Sequence, residues 1–268
     1  MDAVLAAVVA VVAWWASTAV ILYRSGLGSS SYRRTFIGAT LVLVSGVSAL
    51  AASLDDRSVI GAYLGFFGAL AVFAWHEVSY LFGFITGSSS SPCPPGIQGW
   101  RRFVLGVKTS IYHELAVLAT VVLLALASAD AANTVGLWTL VVLWLMRWSA
   151  KLNIFFGVPN LHMEFWPEHL DYLKSYARVR PMNSFFPISF LCAIATIGLL
   201  TVDAFGSAPG SFDRSGAVLL ITLLVLAALE HVLLVVRVSD ERIWSPALRS
   251  HDPTSAGVSA DKYPGKSI

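Results

Sequence analysis

Apolar residues run along most of this chain in blocks of about twenty, separated by short polar breaks, the pattern of helices that cross a hydrocarbon core of roughly 30 Å. Seven blocks stand out: Ala3 to Tyr23, Phe36 to Leu54, Ile60 to Phe84, Val104 to Ala129, Val135 to Phe156, Phe186 to Val202 and Ala217 to Val238. The sixth is the shortest and is opened by Asn183 and Pro187. The first reads as a retained helix rather than a signal peptide, because Asp2 stands where a basic segment is expected and another span follows. The predicted fold is all-α, a polytopic membrane helix bundle of about seven transmembrane helices. Residues 1–248 form a single transmembrane helical domain, and 249–268, rich in Ser, Gly, Pro and Lys, are a disordered cytoplasmic tail.

Composition agrees with the pattern. Of 268 residues 56% are hydrophobic and 13% charged, against roughly a quarter charged in a soluble domain. The formal net charge of +2 is small and scattered, which predicts no nucleic-acid partner. The basic residues do set an orientation. Arg24, Arg33, Arg34, Arg101, Arg102, Lys108, Lys174, Arg178, Arg180 and the tail cations fall at one end of the spans, and only Arg57 and Arg214 at the other. By the positive-inside rule the N-terminus is outside and the C-terminus cytoplasmic, which an odd number of spans requires. Two cysteines cannot build a disulfide framework. Cys93-Pro94 reads as a rigid turn, Cys192 as a buried thiol, and Ser88 to Ser91 as a flexible hinge.

Ionisable residues inside the spans are the candidate chemistry, since each costs about 2.5–3.5 kcal/mol on insertion scales and so needs a partner or a purpose. Span three holds His76 and Glu77, span four His113 and Glu114, span five Arg147 and Lys151, and span seven Glu230 and His231. At 1.5 Å per residue the three histidines fall roughly 10 to 15 Å below the cytoplasmic surface, in one slab with both cations. Two readings stand. In one, carboxylates, cations and imidazoles satisfy each other and fix helix register. In the other, His76, His113 and His231 are ligands to a transition metal or to the central ion of a tetrapyrrole, with Glu77, Glu114 and Glu230 as further ligands. A proton path would need a second polar layer in the outer half, and none is visible. Neighbours on a helix point about 100° apart, so only one of each His-Glu pair can aim at a common centre. Zincin, di-iron, phosphate-loop, nucleophile-elbow and Cys-x-x-Cys spacings are absent. The loop from Gly157 carries His162, Glu164 and His169 as a possible cap over the cluster. From Pro167 it reads as an interfacial amphipathic helix with Leu170 and Leu173 on one face and Trp166 as an anchor.

At these motifs the chain resembles the photosynthetic complex assembly proteins of the PuhE type from purple phototrophic bacteria. The likeness runs through Trp75-His76-Glu77, Gly83 to Gly87, Pro92-Cys93-Pro94, Gly99-Trp100, His113-Glu114-Leu115, Leu143 to Asn153, Met182-Asn183 and Phe186-Pro187. It implies a multi-span protein of the bacterial inner (intracytoplasmic) membrane that assists build-up of the reaction centre and its light-harvesting ring, with no catalytic residue to carry over. Joined to the cluster, the expectation is a factor holding a bacteriochlorophyll-type pigment or an assembly intermediate, with His76, His113 or His231 as axial ligand and Arg147 or Lys151 near its acidic or carbonyl edge. The alternatives are a metal-dependent membrane enzyme acting on a lipid, quinone or pigment precursor, and a ligand-free scaffold. Expected partners are the lipid bilayer and reaction-centre or light-harvesting subunits.

Overall fold

The computed structural model describes residues 2–161 and 167–236. Eight α-helices follow in order: α1 (Asp2–Gly26), α2 (Ser29–Ser53), α3 (Val59–Leu81), α4 (Gly99–Lys108), α5 (Ile111–Ala127), α6 (Val135–Phe156), α7 (Phe185–Gly206) and α8 (Phe212–Val235). A 3₁₀ helix, Glu168–Tyr176, lies between α6 and α7. Six helices are long and apolar enough to cross a membrane, and the bent pair α4–α5 makes a seventh if counted as one span. The all-helical polytopic bundle is thus as expected. The tail from 237 onward lies outside the described residues, as do His162, Glu164 and Trp166.

Helix starts follow local chemistry. The Ser58 hydroxyl accepts from the Gly61 amide at the start of α3, and that of Ser211 from the Arg214 amide at the start of α8. Asn183 does the same for α7, its side-chain oxygen accepting from the Phe185 and Phe186 amides. Its amide group donates back to the Asn153 and Gly157 carbonyls and to Asn153 Oδ1 at 2.9 to 3.3 Å, tying the end of α6 to the start of α7. Asn183→Ala is expected to destabilise the protein by about 1–3 kcal/mol, because it orphans several buried groups together. Thermal melting in detergent checks this.

α3 and α8 are the central helices. α3 packs on α2, α6 and α8, while α8 also carries α1 and α7. In lipid the helices have little hydrophobic reason to associate, so close approach by small residues matters. Gly61 and Gly65 lie four apart on α3, and a Cβ on Gly65 would sit 3.0 Å from the Gly136 amide nitrogen of α6. Next to that contact Phe66, Leu70, Leu219 and Leu223 belong to one buried core.

The loops sort into two ends. At one, the Asn133 side chain bonds the Asp56 and Gly61 carbonyls, and Arg57 pairs with Asp213 at 2.6 Å. At the other, Asn160 donates to the Leu233 and Val236 carbonyls at the end of α8, and the Cys93 amide donates to Ser175 Oγ at 2.8 Å.

Four local expectations are corrected. The fourth span is not one helix: α4 and α5 meet at 68° across Thr109 and Ser110. The break is made by the preceding loop, whose Ser89 amide donates to the Lys108 carbonyl and whose Thr86 carbonyl accepts from the His113 amide at 2.9 Å. Gly87 makes this approach possible, since a Cβ there would lie 2.1 Å from the Lys108 oxygen. The serine run is accordingly fixed rather than a free hinge, with the Ser91 carbonyl accepting from Tyr176 Oη. Burial holds the Tyr176 phenol above the ordinary tyrosine range, which keeps it a donor in that bond. The segment from Pro167 is 3₁₀, and its period of three puts Leu170, Leu173 and Tyr176 on one buried line. Cys192 is exposed, because α7 buries little beyond Ala193 and Ala204.

Candidate functional site

One face of α6 organises the buried charges. Trp144, Arg147, Trp148 and Lys151 fall at helical spacing i, i+3, i+4 and i+7, so all four meet α3 and α5 together. Arg147 reaches Glu77 on α3, with Nε and Nη2 both 3.0 Å from Oε2. Lys151 reaches Glu114 on α5, Nζ to Oε1 at 2.6 Å. The other oxygen of Glu114 accepts from two indoles, Trp144 at 3.2 Å and Trp148. The ammonium of Lys151 also lies 4.6 Å over the Tyr80 ring. Two carboxylates and two cations therefore form two neutral pairs side by side, as a medium without water demands.

His113 lies between the pairs. It is 1% exposed, its Nε2 is 3.8 Å from Glu77 Oε1, and its ring is 4.8 Å from that of Tyr80. Glu77 Oε1 and His113 Nδ1 are both buried without a hydrogen bond. His76 is 6.3 Å from His113, ring to ring, but its Nε2 is 3.0 Å from Thr120 Oγ1. Since the Thr120 hydroxyl donates to the Ala116 carbonyl, the bonding pattern assigns the proton to His76 Nε2.

His231 does not join them. Its Nδ1 donates to the Ala227 carbonyl and its Nε2 accepts from Ser149 Oγ, both at 2.8 Å. Ser149 is two positions from both Arg147 and Lys151, hence about 160° around α6 from each. Glu230 is exposed and faces a cavity of about 300 Å³ between α1, α3, α6 and α8, together with Glu77 and Arg147. The groups keep a common depth along α6, with Ser149 between Arg147 and Lys151, but form two arrangements on opposite faces of that helix rather than one cluster. Among the described residues no three His, Cys, Asp or Glu side chains stand close enough to hold a metal ion. His76, His113 and His231 are not among the described linings of the cavities.

Of the expected cap, His162 and Glu164 lie outside the described residues and His169 is turned elsewhere. His169 packs edge-on to Tyr32 at 5.7 Å, away from the pairs. Leu170 and Leu173 instead cover Tyr80, which in turn covers His113 and Lys151. Tyr80, Thr120, Trp144, Trp148 and Ser149 were not singled out as site residues from sequence. The i, i+4, i+7 run of Trp144, Trp148 and Lys151 was the signal that could have found three of the partners of Glu114.

The fold and site define a polytopic helical membrane protein with a buried, charge-neutral ion-pair cluster. The chain belongs to the family DUF3623, described as "Protein of unknown function (DUF3623)", which matches residues 1–255. It is 35% identical over 267 residues to the "Uncharacterized 30.4 kDa protein in puhA 5'region" of Rhodobacter capsulatus, covering 98% of this chain and 96% of that one. No solved structure matches it.

Proposed function

We propose that this chain is an integral protein of the bacterial inner, intracytoplasmic membrane that assists assembly of the photosynthetic reaction centre and its light-harvesting complex by holding an assembly intermediate. The observation that carries this is the near full-length similarity to a protein encoded in the puhA 5' region, a photosynthesis gene region. The charges support holding over turnover, because the carboxylates of Glu77 and Glu114 already have fixed cationic partners. The basic loop end faces the cytoplasm. If the cargo carries a bacteriochlorophyll-type pigment, Arg147, beside Glu230 on the larger cavity, is the group placed to meet a carbonyl edge. His76 and His231 already spend ring nitrogens on hydrogen bonds, and His113, though its Nδ1 has none, is buried away from this cavity, so holding here does not call on a histidine ligand.

Deleting the gene from its phototrophic host is expected to lower reaction-centre and core-antenna absorbance of the membranes severalfold, with recovery when the intact chain is restored. Unchanged absorbance under phototrophic growth refutes the reading.

A further inference from the structure

A second cavity, of about 240 Å³, opens where α4 and α5 part, and it lies on the side of the Lys151–Glu114 pair away from Arg147 and Glu230. Its walls are apolar and strongly aromatic, with Phe103, Trp148, Phe155 and Tyr176 among them. Gly106 leaves the space open, for a Cβ there would already touch the Phe155 ring at 3.3 Å and the Tyr176 ring at 3.6 Å. Lys151 and Glu114 are the charged groups in the described lining, and they neutralise each other.

Four features define what fits. Flat aromatic walls favour a planar ring. The volume lies below the roughly 300–1,000 Å³ of sites for drug-sized ligands, leaving room for one substituted ring and none for a tetrapyrrole macrocycle. Both oxygens of Glu114 are occupied, whereas the Lys151 ammonium has three donors and gives one to Glu114. The open polar function is thus a donor, which asks for an acceptor on the ligand. Because the pair is already neutral, an anionic ligand would leave uncompensated charge in a low-dielectric site, so the acceptor is a neutral carbonyl.

We infer that this cavity binds the ring of a membrane-soluble quinone, with one ring carbonyl accepting a hydrogen bond from Lys151 Nζ. The inference is independent of the assembly role and claims binding alone.

The test is equilibrium dialysis of the delipidated full-length protein, in mild detergent, against decylubiquinone. Saturable binding of about one molecule per chain is expected. Gly106→Leu, which fills the cavity, should weaken it by about tenfold or more. So should the paired variant Lys151→Met/Glu114→Gln, which keeps the site neutral and leaves Trp144 and Trp148 an amide oxygen to bond, because it removes a charged donor. Leu191→Phe, on the outward face of α7, should bind as the parent does. If Gly106→Leu fails to fold, the paired variant alone decides. Uptake that does not saturate, equal affinity in the folded variants, or a one-to-one phospholipid that decylubiquinone does not displace overturns the proposal.

Discussion

Arg147→Met is expected to destabilise the bundle by about 3 kcal/mol, the lower end of the range for breaking one partner out of a buried ion pair, because the Arg147 side chain is itself 35% exposed. Glu77 would keep a carboxylate only 12% exposed, with one oxygen newly stripped of two charged donors and the other already without a hydrogen bond. Arg147→Met/Glu77→Gln should recover much of the loss, since it removes both charges together. Heating detergent extracts and measuring the monodisperse fraction by size exclusion compares the three proteins. A single variant as stable as the parent would mean that water or lipid headgroups already satisfy Glu77.

Gly136→Val is the second large effect. Its Cβ would lie 3.0 Å from the Gly65 carbonyl oxygen, a backbone atom that cannot swing aside, and 2.4 Å from a Leu50 methyl that can. The first contact forces α3 apart from the start of α6, at about 2–3 kcal/mol or more for overpacking. Gly198→Ala provides the contrast, with nothing within 4 Å of its Cβ on α7, and it should be neutral. The same thermal assay reads both, and equal melting of the two variants would show that the α3–α6 contact gives way easily.

Hydropathy made six spans legible because a run of some twenty apolar residues has one plausible fate in a bilayer. The break at Thr109 and Ser110 was illegible for a physical reason. No Pro or Gly occupies it, and it is imposed by the backbone of residues 86 to 89 arriving from the side. Intramembrane charge also drew attention to the right groups, and the pairing of Glu77 and Glu114 with Arg147 and Lys151 follows from shared depth. Depth alone could not say which way His231 faces, because that depends on its rotation about α8 and on Ser149 being there to meet it. Nor could it give Trp144 and Trp148 their role, as indoles in a span usually pack as apolar bulk or sit at the interface.

The loop that splits α4 from α5 also has a clock in it. The Cys93 amide and the Ser91 carbonyl find their partners in Ser175 and Tyr176, 82 and 85 residues further along. At about 5–20 residues per second, synthesis delivers those partners roughly 4–17 s later. During that interval the start of the fourth span has the local contacts of residues 86 to 89 that bend it, but not those that hold residues 91 and 93. A nascent chain arrested before residue 175 would therefore carry the bend already, with the far part of its loop left to dock only after α6 has been made.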